Sequence, residues 1–486
     1  MRMRFCDDAV QTGPLEQLGD PKVIHHVTFE DTGAHGQEGE AISPERYSIH
    51  ISTNGDCRIR IKSHLAASRA MATFVQLFHS DPSQESMLCC RLVPLTISDC
   101  PAFEHRGLNL DISRNTIYPD DVLRVLDGMW LNKMNRLHLH ATDSQSWPLE
   151  VPSIPELARK GAYSTDQIWT VAHVQKVQRH GEQWGVEVYF EIDMPGHTAS
   201  IHHSFPDLIV AYEQEPWQQY AQEPPAGQLK LDSDAVREFA RRLFDDVLPR
   251  VARHSQRFHI GGDELNTKCY MLEETVQSDS KAVLRPLLQK FFDLCIAKLQ
   301  EYNLEPILFE DVLLEWDMDF PKNAVFQSWK SQESLAKIVQ KGHRALFGPC
   351  NYWYLDCGMG AWIDPDPKNP NTPIKGEFLD WCSPYKSWRR VYSYDPFENI
   401  QDADKHMILG GEVHLWTEMT DSVSLDFMLW PRVAAAAEVL WSGPGPLDES
   451  VTLRVARMRR RLVSLGIRSG MVQMEWSLRN PGRSSL

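Results

Sequence analysis

No stretch of this sequence approaches the ~18 consecutive apolar residues that a membrane span requires, so no spanning helix is expected. Paired CxxC motifs are missing too. The ten cysteines, at 6, 57, 89, 90, 100, 269, 295, 350, 357 and 382, do not make a zinc ribbon. Basic charge is scarce: 50 Lys and Arg stand against 66 Asp and Glu, for a formal net charge of −16. That balance disfavours nucleic acid and anionic membrane surfaces as partners and favours a neutral or cationic ligand. The opening residues, Met1-Arg2-Met3-Arg4-Phe5-Cys6-Asp7-Asp8, have no apolar core of the signal-peptide kind. Compartment stays open, because the cysteines fit buried thiols as well as a few disulfides.

What is present is length and alternation. The 486 residues, 42% of them hydrophobic, are enough for one large core with a smaller lobe. From about residue 104, strand-like runs at 107–113, 136–140, 186–192, 257–261, 306–310, 324–329, 345–347 and 407–416 alternate with helical patterns such as 120–131, 232–251, 283–301 and 334–341. Eight such strands predict a closed (β/α)8 TIM barrel over 104–486. An open doubly wound sheet is the weaker reading, since Asp111-Ile112-Ser113-Arg114-Asn115 follows the first strand without a glycine. Pro431 opens one late helix, and Gly466 closes another that starts near Glu449. The proline-rich stretch 364–375 reads as a loop insertion. Residues 1–103 differ: Tyr47–52 and Cys57–62 alternate apolar and polar, and 64–78 is helical, which predicts a small α+β lobe.

The densest chemical signal is Arg257-Phe258-His259-Ile260-Gly261-Gly262-Asp263-Glu264. Neighbouring strand residues point to opposite faces. A strand that unwinds at the two glycines can instead turn Asp263 and Glu264 toward one cavity. Paired carboxylates suit glycosidic cleavage, one protonating the leaving oxygen and one handling positive charge on the sugar. An ordinary solvated turn would have the same composition. The other strand ends add Asp111-x-x-Arg114, His138-x-His140 and Asp143, Glu191-x-Asp193 and His197, Glu310-Asp311, Trp329, Trp353-Tyr354-x-Asp356, and Trp416-x-Glu418. In barrels this is where chemistry lies. A metal-dependent amidohydrolase built on His138, His140, His197, His259 and Asp263 is the rival. It leaves the tryptophans unexplained and puts the paired histidines after the second strand rather than the first.

Five motifs occurring in order resemble β-N-acetylhexosaminidases of glycoside hydrolase family 20, fungal and insect members above all. They are Arg106-Gly-Leu-Asn-Leu-Asp-Ile-Ser-Arg114, Asp193-Met-Pro-Gly-His-Thr198, His259-Ile-Gly-Gly-Asp-Glu264, Trp353-Tyr-Leu-Asp-Cys-Gly358 and Leu429-Trp-Pro-Arg432. The likeness runs from about residue 40 to about residue 466. It implies a TIM barrel behind a zincin-like lobe that is shortened here. It also implies retaining, exo-acting removal of terminal β-linked GlcNAc or GalNAc from glycans or chitooligosaccharides. No cofactor or metal is implied, and a homodimer is left open. In the mechanism that the resemblance implies, the substrate's own 2-acetamido oxygen attacks the anomeric carbon. Glu264 then is the general acid and base, and Asp263 orients the acetamido group. Tyr354 hydrogen-bonds its oxygen, and Asp143 with His197 supports the acid. Arg106, Asp356 and Glu418 hold sugar hydroxyls, and Trp329, Trp353 and Trp416 supply aromatic walls. Phe309 stands where the family has a further tryptophan, which leaves room for a sugar-binding homologue without turnover. Family members of this type are secreted, in contrast with the opening residues here. A Cys357–Cys382 disulfide is implied in the same way if the chain is exported.

Overall fold

The computed structural model describes residues 2–5, 22–24, 26–31, 43–81, 84–90, 92–364, 379–480 and 482–483. The insertion expected at 364–375 lies outside them apart from Asp364. Two compact units separate, one comprising 1–104 with 129–133, the other 105–128 with 134–486.

In the smaller unit, Tyr47–Ile51 pairs antiparallel with Asp56–Ile61, and the helix His64–Gln76 follows. Period-two alternation is visible in the burial of both strands, where Ile49, Ile51, Cys57 and Ile59 are inside. Ser63 caps the helix by accepting from the Ala66 N–H.

The larger unit is a closed barrel of eight parallel strands. In chain order these are His105–Asp111, Arg136–His140, Glu187–Glu191, Arg257–His259, Glu305–Phe309, Val325–Ser328, Arg344–Phe347 and Ile408–Leu415. All eight expected strands are present, and the last pairs with the first to close the ring. The continuous buried run Val188-Tyr189-Phe190 marks a strand covered on both faces. The fourth strand is shorter than expected, ending at His259 because the chain turns at Gly261.

The barrel interior is unusually polar. Branched apolar layers normally fill it, but here His105, His138, Glu191, His259, Glu412 and His414 are buried inside. Leu108, Leu110, Leu137 and Leu139 alternate with them along the first two strands.

Candidate active site

After the fourth strand the backbone takes φ values of +74° at Gly261 and +95° at Gly262. No side chain would fit at the first of these: a Cβ on Gly261 would lie 1.7 Å from Asp193 Oδ1. The Gly262 N–H donates to that same oxygen at 2.8 Å, tying the turn to the third strand's end. Glu264 and His197 themselves sit at φ +51° and +52°, a conformation non-glycine residues adopt where surrounding structure imposes it. The result is that Asp263 and Glu264 both line one cavity of about 480 Å3 at the C-terminal end of the barrel.

The two acids meet different surroundings. His197 Nε2 lies 3.4 Å from Glu264 Oε2, and His197 Nδ1 lies 3.0 Å from Asp143 Oδ1. Arg114 Nη2 reaches Asp143 Oδ2 at 2.9 Å. Burial opposes charge on Asp143, yet Arg114 and His197 beside it hold its carboxyl far below the usual range. Burial also opposes charge on His197, but the Asp143 carboxylate raises that imidazole well above its ordinary value. Asp263 is the reverse case. Burial, followed by the neighbouring Asp193 carboxyl, pushes it well above the normal carboxylate range. Burial likewise raises Asp193 to about 6.

Aromatic rings make the opposite wall. Phe309, Trp329, Tyr354 and Trp416 form one buried cluster with Cys357 and Cys382. Those two cysteines are joined in a disulfide, as the resemblance implied. Trp329 donates its Nε1–H to Asp311 Oδ2 at 2.8 Å, which fixes the indole. Trp381, 62% exposed, stands edge-on to Trp329 and Tyr354 at the mouth. Asp356 Oδ1 accepts from the Trp416 N–H at 3.5 Å, and burial raises its carboxyl to about 7. Burial and the Glu223 carboxyl raise Glu418 well above the usual range.

Of the residues expected from sequence, Asp263, Glu264, His197, Tyr354, Trp329, Trp416 and Glu418 line the cavity. Asp143, Asp356 and Phe309 back it through the contacts above. Two expectations need correction. Arg106 lies near the start of the first strand, fully buried, with its guanidinium 5.1 Å from the Trp441 ring. It is outside the cavity because the cavity opens at the other end of that strand. Trp353 is also fully buried and packs on Phe347 and Tyr394, donating its N–H to the Val391 carbonyl at 3.0 Å. It turns away from the cavity that its neighbour Tyr354 lines.

The arginine that does line the cavity is Arg114, which pairs with Glu223 at 2.6 Å and lies 5.0 Å from the Trp416 ring centre. The rule that barrel chemistry sits after the strands could have selected Arg114 over Arg106. Glu223 had no such signal, since it lies in a long loop. The histidines of the amidohydrolase reading divide into two groups: His138 and His259 approach Glu191, while His197 and Asp263 approach Asp193. His259 Nδ1 accepts the Gly261 N–H at 2.9 Å, so that lone pair already has a partner.

Residues 103–444 match the family model described as glycosyl hydrolase family 20, catalytic domain. This chain belongs to glycosyl hydrolase family 20. A β-hexosaminidase of Arthroderma benhamiae is 43% identical over 445 residues, covering 89% of this chain and 73% of that one. A chitooligosaccharidolytic β-N-acetylglucosaminidase of Ostrinia furnacalis is 31% identical over 464 residues, 90% of this chain and 74% of its own. The fold is shared with the exo-β-N-acetylglucosaminidase of Vibrio harveyi solved with N-acetylglucosamine. The TM-score is 0.76 at 22% identity, over 92% of this chain and 70% of that one. The family 20 chain is a glycoside hydrolase, and the reading as a sugar-binding homologue without turnover is not favoured.

Proposed function

We propose that this family 20 chain is a retaining exo-β-N-acetylhexosaminidase acting by substrate-assisted catalysis on terminal β-linked GlcNAc or GalNAc. The observation that carries the reading is the convergence of Asp263 and Glu264 on one aromatic-walled cavity. In the first step the 2-acetamido carbonyl oxygen bonds to C1 as the glycosidic bond breaks. The Glu264 proton goes to the departing oxygen, leaving a cyclic oxazolinium. Water then attacks C1, gives its proton to Glu264 and reopens the ring, so configuration is retained.

Asp263 accepts the acetamido N–H and opposes the ring's positive charge. The Tyr354 hydroxyl donates to the acetamido oxygen. Arg114, Asp356 and Glu418 serve the sugar hydroxyls, and Asp143 with His197 holds Glu264. The chitooligosaccharidolytic relative makes short β-linked GlcNAc oligomers the first substrates to try. Initial rates on aryl β-GlcNAc, aryl β-GalNAc and chitobiose test the reading. Turnover of none of them by folded protein would overturn it.

Asp193 offers a pH test. Because burial and then the neighbouring Asp193 carboxyl raise Asp263, the ionised form needed against the oxazolinium becomes more populated as pH rises. Asp193→Asn removes that neighbour, so the acidic limb of kcat/KM should move to lower pH. An unmoved limb would detach Asp263 ionisation from the reaction.

Phe309 is 1% exposed and packs 4.5 Å from the His259 ring. Phe309→Trp should tighten acetamido-containing inhibitors by about 1 kcal/mol, at ~25 cal/mol per Å2 of added apolar contact. Fitting the indole should cost about 1–3 kcal/mol of stability. Unchanged affinity for a thiazoline inhibitor in a folded variant would sink the pocket argument.

A further inference from the structure

The Asp143–His197 pair is the visible end of a longer line of contacts that descends into the barrel. His140 Nε2 meets Asp143 Oδ2 at 2.7 Å, and His140 Nδ1 meets Glu191 Oε2 at 2.9 Å. His138 Nε2 reaches the same Glu191 oxygen at 2.8 Å, and His138 Nδ1 reaches Glu412 Oε2 at 3.1 Å. Glu412 Oε1 then accepts from the Tyr189 hydroxyl at 2.5 Å and faces His105 Nε2 at 2.7 Å. All of these residues are buried. Below the Asp143–His197 pair, His140 lines the cavity, and His138, Glu191, Glu412, Tyr189 and His105 do not.

The protonation state follows from geometry. His138 and His140 each face a carboxylate oxygen with both ring nitrogens. Carboxylate oxygens at 2.7–3.1 Å on both sides of each ring favour its positively charged form. The contacts to Glu191 are bent, so they act as charge contacts more than as linear hydrogen bonds. The flanking carboxylates thus assign the imidazolium form to both rings within the proposal below. His414 is different, since its Nδ1 faces the Asn109 amide at 3.1 Å, and His259 Nδ1 is an acceptor as described above. Reading outward from the core, Glu412, His138, Glu191, His140, Asp143 and His197 alternate in sign up to Glu264.

Shifts in the same direction accompany the geometry. Burial opposes charge on His140, but Glu191 and Asp143 raise it to about 10. Burial opposes charge on Glu191 and Glu412 as well, yet the adjoining imidazoles hold both well below the usual range. Burial alone dominates at His105 and His414, which fall to about 4 and about 3. Space is kept for the line: a Cβ on Gly107 would stand 2.5 Å from the Glu412 side chain.

We propose that His140, Glu191, His138 and Glu412 are positioning residues of the reaction, an alternating line of buried ions that keeps Asp143 ionised and His197 doubly protonated toward Glu264. An isolated buried charge is costly, whereas one flanked by opposite charges is tolerated. The line thus extends the acid's support to the floor of the barrel. His140 also faces Arg114 Nη1 at 3.5 Å and the edge of Trp416. His138 is stacked between Tyr189 and His259. The inference rests on Glu264 being the general acid.

Glu191→Gln tests it, since the amide keeps the shape and removes the central charge. His140 then holds its proton with one carboxylate fewer, so the alkaline limb of kcat/KM should move toward acid by about one pH unit or more. kcat should fall on the order of 10–100-fold, the usual effect of losing an outer-shell partner, while KM changes little. Leu139→Ala, between His138 and His140 on the strand Arg136–His140, should lower Tm and leave the pH profile in place. A wild-type pH profile in active Glu191→Gln overturns the inference alone, whereas an inactive wild type overturns the functional reading instead. Neutron diffraction on the wild-type crystal at pH 7.5 needs no variant. Deuterons on both nitrogens of His138, His140 and His197 are expected, and a singly protonated His138 or His140 would overturn the proposal.

Discussion

Glu264→Gln should cost most where the leaving group is poor. For chitobiose, whose leaving group is a GlcNAc hydroxyl, loss of the proton donor should lower kcat/KM by on the order of 10²–10⁴-fold. For a nitrophenyl glycoside the loss should be much smaller, because nitrophenolate departs with little protonation. It should grow again in kcat once water attack, which also needs Glu264, becomes limiting. The structure puts this carboxyl within reach of His197 Nε2 and leaves its side chain 28% exposed, as a group shuttling protons to a leaving sugar requires. A uniform loss across leaving groups would remove Glu264 from the acid role.

Asp263→Asn should fail differently. Every substrate passes through the cyclic cation, so a defect in stabilising it should be large, on the order of 10²–10³-fold, and nearly independent of leaving group. Asp263 is 9% exposed and hemmed by the Asp193 carboxyl, so the substituted amide stays in place and only the charge is lost. Parallel leaving-group series on the two variants check both assignments. Matching slopes, or near-wild-type activity in either, would end the division of labour. Added azide is a further probe. Recovery as an inverted glycosyl azide would point to an enzyme nucleophile rather than the acetamido group.

Arg106 and Arg114, at the two ends of the first barrel strand's motif, show how far sequence reasoning reached. Both belong to one motif, and the resemblance put Arg106 on the sugar. Arg106 lies near the start of the strand His105–Asp111 and Arg114 three residues past its end, and only Arg114 lines the cavity. Strand direction decides for Arg114. Trp353 and Tyr354 repeat the lesson over one position. They are adjacent in sequence, and only the turn after the short helix Cys350–Trp353 sends one ring outward and the other into the cavity.

By itself the sequence determined the barrel, because eight apolar runs separated by amphipathic helices have few other ways to bury both strand faces. It also pointed to Asp263 and Glu264 facing one cavity, because Gly261 and Gly262 are needed where the backbone leaves the strand with positive φ. Tertiary structure alone decided which imidazole faces which carboxylate. Glu412 stands 274 positions from His138 and 307 from His105, yet touches both. Closure of the ring between the last strand and the first creates those contacts, and burial then makes the charge on each group depend on its neighbours.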